Sequence, residues 1–457
     1  MPAFCFSVLV EKSVMELLPI VPYEQRAERL AALWTRGGTF DPEVERAVQE
    51  ILQQVQQQGD AALLALTERF DGVRPPSLRV PEAELAAAYE TMDPELKAII
   101  AEAVDNIRRF HEHQRRTSWF VEDGDGVVLG QRIVPLERVG LYVPGGRAFY
   151  PSSLLMNAIP AQVAGVPELH LVSPPGPSGW PHPLVLATAH FLGIRHVYAV
   201  GGAQAVAALA FGTETIPRVD KIVGPGNAYV ALAKKMVFGR VDIDAVAGPS
   251  EIVVLADDTA DPEFVAADLL SQAEHDERAS AVLVTPHALL AEAVRARVQR
   301  MVAEAPRRAI LEASLARYGA CIVTPSMTEA YAVVNELAPE HLELIVRDPW
   351  AALPHIRHAG AIFLGPFSTE PVGDYFAGPN HVLPTGGTAR YASALSVDDF
   401  VRSQSIIAYT AERLRRTGPR IMRFAEAEAL PAHAQAVAVR LARLAEQAPD
   451  SAVRSSA

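Results

Sequence analysis

Short apolar segments with strand character alternate with helical segments along the middle of this sequence. After a strand-like run at residues 139–143, strand-like runs at 169–172 and 197–200 alternate with helical patterns at 184–192 and 203–210. Apolar strands that alternate with helices form parallel sheets covered by helices on both faces. The alternation therefore predicts a doubly wound α/β fold for this part of the chain.

A second run of the same kind follows Gly248-Pro249-Ser250. Its predicted strands, separated by helical patterns, are residues 252–256, 281–285, 321–324, 342–346 and 361–364. Two successive α/β units imply a cleft, and open α/β sheets bind ligands beyond the carboxyl ends of their strands. We therefore expect the site on the loops beside these strands, namely Pro339-Glu340-His341, Gly365-Pro366 and Gly373-Asp374.

Helical patterns flank the two α/β units. Residues 41–113 have mainly helical periodicity, and residues 406–416, 419–427 and 430–444 form predicted helices in a C-terminal tail. The tail is too small to form a hydrophobic core of its own. We therefore expect it to pack on something else, such as another subunit.

The predicted fold class is thus α/β, with two successive doubly wound, incomplete Rossmann-like parallel-sheet domains between a helical N-terminal region and a helical C-terminal tail. At 457 residues the chain exceeds what one hydrophobic core usually serves. The predicted regions are an N-terminal extension and helix at 1–35, a first α/β domain at 36–141 together with 251–395, a second α/β domain at 142–250, and the tail at 396–457.

Charge and cysteine content exclude several classes of protein. A net charge of −13 argues against nucleic-acid or anionic-membrane binding through bulk electrostatics. The two cysteines, Cys5 and Cys321, are far apart in sequence, which excludes a disulfide framework or a Cys-rich zinc site and fits a reducing cytoplasm. Residues 1–10 are apolar but Glu11-Lys12 interrupts them, so we interpret them as neither signal nor anchor, with Met15 as an alternative start.

Polar residues close an apolar helix at Leu270-Ser271-Gln272-Ala273-Glu274-His275-Asp276. Asp261 can cap this helix, and Gln272 and His275, three residues apart, project from nearly the same face. The pair predicts a metal or substrate site, with a solvated last turn as the alternative. Further candidates downstream are Glu340, His341, Asp374, His381, Glu428 and His433.

Several segments, in order along the chain, resemble one enzyme family. They are Gly201-Gly202-Ala203-Gln204-Ala205, Gly224-Pro225-Gly226-Asn227, Ala247-Gly248-Pro249-Ser250-Glu251, Asp268-Leu269-Leu270-Ser271-Gln272-Ala273-Glu274-His275, Pro339-Glu340-His341-Leu342-Glu343, Gly373-Asp374-Tyr375, Gly378-Pro379-Asn380-His381-Val382-Leu383-Pro384-Thr385 and Ala432-His433. As a set they resemble the histidinol dehydrogenases. The resemblance implies a zinc enzyme that oxidises L-histidinol to L-histidine in two steps, using two NAD and an enzyme-held aldehyde.

By the same resemblance, one Zn²⁺ per subunit is held by Gln272, His275, Asp374 and His433. Two imidazoles suit zinc, one carboxylate partly neutralises it, and a neutral amide leaves positive charge for the substrate nitrogens. A solvated tail histidine is the alternative for His433. The resemblance also implies a homodimer in which the tail of one subunit completes the active site of the other.

Glu340 and His341 resemble the acid/base pair of the family. Imidazole is suited to removing a hydroxyl proton near neutral pH, and Glu340 is implied to activate water for the second oxidation. The alternative is that Glu340 caps a turn and His341 starts a strand. The implied substrate contacts are Ser250, His381 and Glu428, beside His341 and the four metal ligands.

Tyr142, Gln204 and Asn227 match the cofactor positions of the family. The cofactor half has no convincing Gly-x-Gly-x-x-Gly that opens a helix, so the NAD assignment depends on the resemblance. The competing functions are an NAD-dependent dehydrogenase of another small polar alcohol, a zinc hydrolase or lyase, and a non-catalytic metal-binding assembly protein. The presence of both Glu428 and His433 favours histidinol.

Overall fold

A computed structural model describes residues 16–38, 41–145 and 150–447. The strands are β1 (Ile20–Pro22), β2 (Trp119–Glu122), β3 (Val128–Pro135), β4 (Arg138–Tyr142), β5 (Glu168–Ser173), β6 (His196–Ala199), β7 (Lys221–Val223), β8 (Asp242–Ile243), β9 (Glu251–Ala256), β10 (Ser280–Thr285), β11 (Gly319–Val323), β12 (His341–Ile345), β13 (Ala361–Leu364) and β14 (Val401–Ala408). The helices are α1 (Arg26–Gly38), α2 (Pro42–Gln58), α3 (Asp60–Asp71), α4 (Glu82–Thr91), α5 (Pro94–Glu112), α6 (Pro151–Ala164), α7 (Pro183–Phe191), α8 (Gly202–Phe211), α9 (Ala228–Val237), α10 (Pro262–Ala273), α11 (Ala288–Glu304), α12 (Arg308–Tyr318), α13 (Met327–Leu337), α14 (Pro349–Ala352), α15 (Glu370–Tyr375), α16 (Ala411–Ala427) and α17 (Pro431–Glu446).

The first parallel sheet has the strand order β6-β5-β4-β7-β8. From β4 the chain winds outward through β5 and β6, then returns to the other side of β4 for β7 and β8. The order reverses between β4 and β7, where open α/β sheets place their ligand crevice. This sheet confirms the first predicted α/β unit.

The second parallel sheet has the order β1-β11-β10-β9-β12-β13. Every residue of β9 and β10 is buried, because helices cover both faces, and this explains their continuous apolar sequence. Here the order reverses between β9 and β12. The edge strand β1 comes from the N-terminal region, which the sequence assigned to an extension. The two sheets together confirm the predicted fold class.

The chain divides into two compact units. The larger comprises Met1–Gln114 and Leu136–Phe400 and contains both parallel sheets, and the smaller comprises Arg115–Pro135 and Val401–Ala457. In the smaller unit the antiparallel sheet β14-β3-β2 accompanies the paired helices α16 and α17.

The tail prediction was wrong at its start. Residues 401–408 form strand β14, so Ile406 is not the beginning of a helix. This segment forms a strand because it pairs antiparallel with β3, which is remote in sequence. Helix α16 begins only at Ala411, where the side chain of Thr410 accepts a hydrogen bond from the Arg413 N–H.

The predicted domain boundaries stay a prediction, but one packing detail differs from them. Buried side chains of helices α2–α5, such as Val48 and Ile107, share apolar clusters with the five-stranded sheet. The sequence had grouped this segment with residues 251–395. The question of Met15 lies outside the described residues. Over the three described ranges, no helix is long and apolar enough to cross a membrane.

Candidate active site

The proposed acid/base pair lies at the amino end of β12. Both Glu340 and His341 are buried, and His341 is the first residue of the strand. The expectation that the site lies beyond the carboxyl ends of the strands is therefore wrong for this pair. The strands are parallel, so the amino ends of neighbouring β12 and β9 meet, and His341 lies opposite Ile252, beside Glu251.

Backbone groups of Glu251 contact both members of the pair. The Glu251 N–H donates to Oε2 of Glu340 at 2.9 Å, and Nδ1 of His341 lies 3.0 Å from the Glu251 carbonyl oxygen. A carbonyl oxygen only accepts, so Nδ1 of His341 must carry the hydrogen. In the neutral ring Nε2 then holds the lone pair, and this buried atom has no hydrogen-bond partner among the described residues.

Burial sets the protonation of the pair. It lowers the pKa of His341 to about 4, against the opposing charge of Asp374, so the imidazole is neutral near pH 7. Burial also raises the pKa of Glu340 well above its usual value, and the negative charge of Glu251 adds to that increase. A neutral imidazole with a free Nε2 can accept a proton, and a carboxyl group with a raised pKa is a stronger base once ionised.

Three side chains at the end of α10 and in α15 form a candidate metal centre. Ligand atoms of His275, Glu370 and Asp374 all lie within 4.8 Å of one another. Nδ1 of His275 donates to the Ser271 carbonyl oxygen at 2.9 Å, which leaves Nε2 for a metal.

Gln272 is the second-last residue of helix α10 and is fully buried. Neither atom of its side-chain amide has a hydrogen-bond partner in the described structure. A buried amide without partners is costly, so Gln272 is suited to binding a group that the polypeptide itself does not provide. The N-cap predicted for this helix is confirmed, since the Asp261 side chain accepts from the Glu263 N–H.

Sequence reasoning missed Glu370. Its Oε2 accepts from the Ser271 hydroxyl at 2.9 Å, its Oε1 has no partner in the described residues, and burial with the charge of Asp374 raises its pKa to about 8. The available signal was its position four residues before Asp374, which places both on one face of a helix. The short helix α15 was not predicted, so this spacing was not used.

Two predicted substrate contacts belong to the same region. Nδ1 of His381 donates to the Asp374 backbone carbonyl at 3.1 Å, and Ser250 immediately precedes Glu251. A cavity of about 470 Å³ opens beside these groups, and His341, Asp374 and His381 are among its lining residues. The larger unit thus brings together Ser250, Gln272, His275, Glu340, His341, Asp374 and His381.

Glu428 and His433 lie in the smaller unit. Glu428 follows the last residue of α16, His433 is in the first turn of α17, and both are exposed. Their predicted roles in substrate and metal binding stay predictions.

The predicted NAD residues lie at the carboxyl end of the five-stranded sheet. Tyr142 ends β4, Gln204 is in the first turn of α8, and Asn227 caps α9 by accepting from the N–H groups of Tyr229 and Val230. The Tyr142 hydroxyl accepts from the Gly202 N–H at 3.0 Å. Tyr142 and Asn227 therefore flank the place where the strand order reverses.

The fold and the site define a class of protein: an α/β enzyme with a buried candidate acid/base pair and a candidate metal centre. A family model described as histidinol dehydrogenase matches residues 35–441. The chain belongs to the histidinol dehydrogenase family, which confirms the resemblance found in the sequence.

Individual proteins support the same assignment. A histidinol dehydrogenase from Halalkalibacterium halodurans is 58% identical over 397 residues, which are 87% of this chain and 94% of that protein. One from Chlorobaculum tepidum is 55% identical over 94% of this chain and 100% of its own length. The crystal structure of histidinol dehydrogenase from Elizabethkingia anophelis has a TM-score of 0.88 at 38% identity, covering 94% of this chain and 99% of that one.

Proposed function

We propose that this chain is an NAD-dependent, zinc-dependent enzyme that oxidises L-histidinol through the aldehyde to L-histidine, in histidine biosynthesis. The observation that carries the proposal is the buried His341–Glu340 pair. Nδ1 of the imidazole is hydrogen-bonded to the backbone, Nε2 has no partner among the described residues, and the carboxyl group of Glu340 lies beside the ring. Alcohol oxidation needs such a base, and further oxidation of an aldehyde needs a second group that activates water.

The residues fit zinc. Gln272 presents two buried amide atoms without partners, and His275 and Asp374 offer one imidazole and one carboxylate close together. We assign the protein ligands as Gln272, His275, Asp374 and His433, with one Zn²⁺ per subunit. When bound, zinc would orient the substrate by holding its amino and imidazole nitrogens.

In the first oxidation His341 acts as the general base. Its Nε2 takes the proton of the substrate hydroxyl while the hydride leaves the carbinol carbon for NAD, and the aldehyde forms. The Nδ1–H bond to the Glu251 carbonyl fixes the ring in the tautomer that this step needs. The low pKa of the buried ring keeps it unprotonated at neutral pH.

In the second oxidation Glu340 activates water. Its carboxylate removes a proton from water that adds to the aldehyde carbon, and the hydrate again carries a carbon-bound hydrogen and a removable hydroxyl proton. A second hydride then leaves for a second NAD, and the carboxylate of histidine remains. Burial raises the pKa of Glu340, and a carboxylate whose pKa is raised is a stronger base when it is ionised.

The NAD site is assigned to Tyr142, Gln204 and Asn227. Their support is the family and their place at the carboxyl end of a parallel sheet, where the strand order reverses. The N-termini of α8 and α9 face the same end of the sheet, and helix N-termini favour the phosphates of a dinucleotide.

The protein is proposed to be a cytoplasmic homodimer whose tail helices complete the site of the second copy. The smaller unit supports this, because it holds Glu428 and His433 together with exposed apolar side chains. Ile407 is 73% exposed and Phe424 70%, and exposed apolar groups of this size can belong to a surface that a partner covers. Glu428 would bind the substrate amine. Neither nucleic acid nor membrane is an expected partner.

Replacing Glu340 by Gln tests the division of roles. The Glu340→Gln enzyme should still oxidise histidinol to the aldehyde but should lose most of the second oxidation, since the amide cannot take the proton of water. The measurement is the amount of aldehyde trapped by an added carbonyl reagent, which should be higher for Glu340→Gln than for wild type. Equal loss of both oxidations would place Glu340 in the first step as well.

A further inference from the structure

A buried ion pair lies behind the acid/base pair and outside the set of groups assigned to substrate, metal or NAD. It joins Arg36, near the end of α1, to Glu251, the first residue of β9, with the Arg36 Nη2 atom 2.5 Å from Oε1 of Glu251. The side chain of Arg36 is only 1% exposed and that of Glu251 11%. Burying two charges costs desolvation free energy, which further hydrogen bonds to the pair must offset.

Further bonds hold the pair from several sides. Nη1 of Arg36 donates to the Arg278 carbonyl at 2.9 Å, and the Arg278 guanidinium donates back to the Arg36 carbonyl. The Gly386 N–H donates to the same Oε1 of Glu251 at 3.2 Å. Helix α1 and the loop that follows His381 therefore both bond the Glu251 carboxylate, and the segment after α10 bonds Arg36.

The backbone of Glu251 is the group that contacts the acid/base pair. Its N–H binds Glu340 and its carbonyl binds His341, one bond to each. A shift of this one residue would move both bonds together, and the second bond selects the tautomer with Nε2 free. Errors of about 1 Å in such contacts can lower turnover by as much as about a hundredfold.

We propose that Arg36 and Glu251 are positioning residues: their ion pair fixes the backbone at the start of β9 and thereby orients Glu340 and holds His341 in its Nδ1–H tautomer. The predicted effect of the ion pair on turnover rests on the proposed function. The predicted effect of the ion pair on the His341 tautomer does not, because the tautomer is measured without substrate.

Arg29 offers a matched control on the same helix. Its guanidinium donates to the carbonyl oxygens of Gly319 and Ala316, at 3.1 and 3.0 Å, so it holds α1 against α12 and the start of β11. Neither bond involves Glu251. Arg29→Met therefore loosens the helix without removing the charge opposite Glu251, whereas Arg36→Met removes that charge.

The test compares the full-length, zinc-loaded Arg36→Met and Arg29→Met enzymes with wild type. We expect Arg36→Met to lower kcat by roughly ten- to a hundredfold while KM for histidinol stays within about threefold. Zinc content per subunit should be unchanged. Arg29→Met should lower the thermal unfolding midpoint but leave kcat within about twofold of wild type.

The tautomer is read separately by ¹⁵N NMR of histidine-labelled protein, with the His341 signal assigned from its loss in His341→Gln. Wild type and Arg29→Met should have a protonated Nδ1 and an unprotonated Nε2, and Arg36→Met should show a mixture. If both arginine variants lower kcat equally with the tautomer unchanged, the ion pair is only structural and the proposal is overturned.

Two further outcomes are separable. If Arg36→Met does not fold, Arg36→Lys takes its place, because it keeps the charge and loses the bond to Arg278. We expect Arg36→Lys to have an intermediate kcat and the wild-type tautomer of His341. Full loss of kcat with the wild-type tautomer would overturn the proposal. If wild type forms no NADH from histidinol, the proposed function fails, while the tautomer comparison still decides the role of Arg36.

Discussion

Nδ1 of His341 donates a hydrogen bond to a backbone carbonyl, so in the neutral ring the other nitrogen, Nε2, is free to accept a proton. Replacement by alanine should leave zinc content and folding intact but lower turnover by about 10²- to 10⁴-fold, the usual contribution of a general base. The residual activity should rise with pH or with added imidazole. Loss of zinc from His341→Ala would instead make His341 a metal ligand.

Rescue by imidazole has an internal control. The Glu340→Gln enzyme keeps His341, so added imidazole should not restore its second oxidation. Rescue of both variants by the same concentration would show that imidazole acts elsewhere in the protein.

His170 is a buried residue whose effect concerns stability. Its Nδ1 lies 3.2 Å from the Tyr198 hydroxyl, its ring stacks on His196, and burial lowers its pKa from 6.5 to about 4. The unfolded chain therefore binds this proton first as the pH falls. Stability from the neutral ring is fully present above pH 6.5 and is lost as the pH approaches 4, by up to about 3 kcal/mol.

Urea unfolding at pH 7.5 and pH 5 checks this prediction. His170→Phe keeps an aromatic ring in the stack but cannot bind a proton, so the difference in unfolding free energy between the two pH values should shrink relative to wild type. An unchanged difference would assign the acid sensitivity to other groups.

At the scale of elements, the turn after β7 borders the crevice between β4 and β7, so its conformation affects the shape of that crevice. Gly224 has φ +117°, and a Cβ there would lie 2.1 Å from the Tyr142 carbonyl oxygen. Its N–H donates to Asp244 and its carbonyl accepts from Lys234, so the turn cannot shift freely. Gly224→Ala should therefore destabilise the protein and weaken NAD binding.

Gly239 is the matched control for Gly224. It also has positive φ, +93°, but a Cβ there would meet no atom within 4 Å. The unfolding free energy lost in Gly224→Ala should exceed that lost in Gly239→Ala by roughly 2 kcal/mol or more, and NAD affinity should fall only in the former. Equal losses would mean that backbone strain alone, without the clash, determines the effect.

How far the sequence predicts each element depends on its burial. Strands β9 and β10 are buried along their whole length, so their continuous apolar residues were recognisable. Strand β14 is largely exposed and depends on pairing with a remote segment, which no local pattern reveals. The edge strand β1, three residues long, was missed because its partner β11 is equally remote in sequence.

The same limit applies to the candidate site. Residue types and motifs identified Gln272, His275, His341 and Asp374 as candidates, but not that the backbone of Glu251 lies beside the acid/base pair. That depends on which strand pairs with β12, and only the sheet order determines it. The ion pair of Arg36 with Glu251 was invisible for the same reason, since 215 positions separate its members.

For the whole molecule, the proposal of an active site shared between two subunits predicts complementation between two inactive variants. His341→Ala lacks the base and His433→Ala lacks the tail ligand, so each homodimer should be inactive. A heterodimer would contain one site with both histidines intact, and activity should return after the mixture is dissociated and reassembled. If heterodimers form without activity, the tail serves its own subunit.

The ratio of NADH formed to histidinol consumed tests the proposed reaction most directly. Purified, zinc-loaded protein is given limiting histidinol and excess NAD, NADH is measured by absorbance, and histidine and free aldehyde are quantified at completion. A four-electron oxidation with an enzyme-held aldehyde predicts a ratio near two, histidine equal to the histidinol consumed, and little free aldehyde. A ratio near one with aldehyde released, or histidinol consumed without NADH, would contradict it.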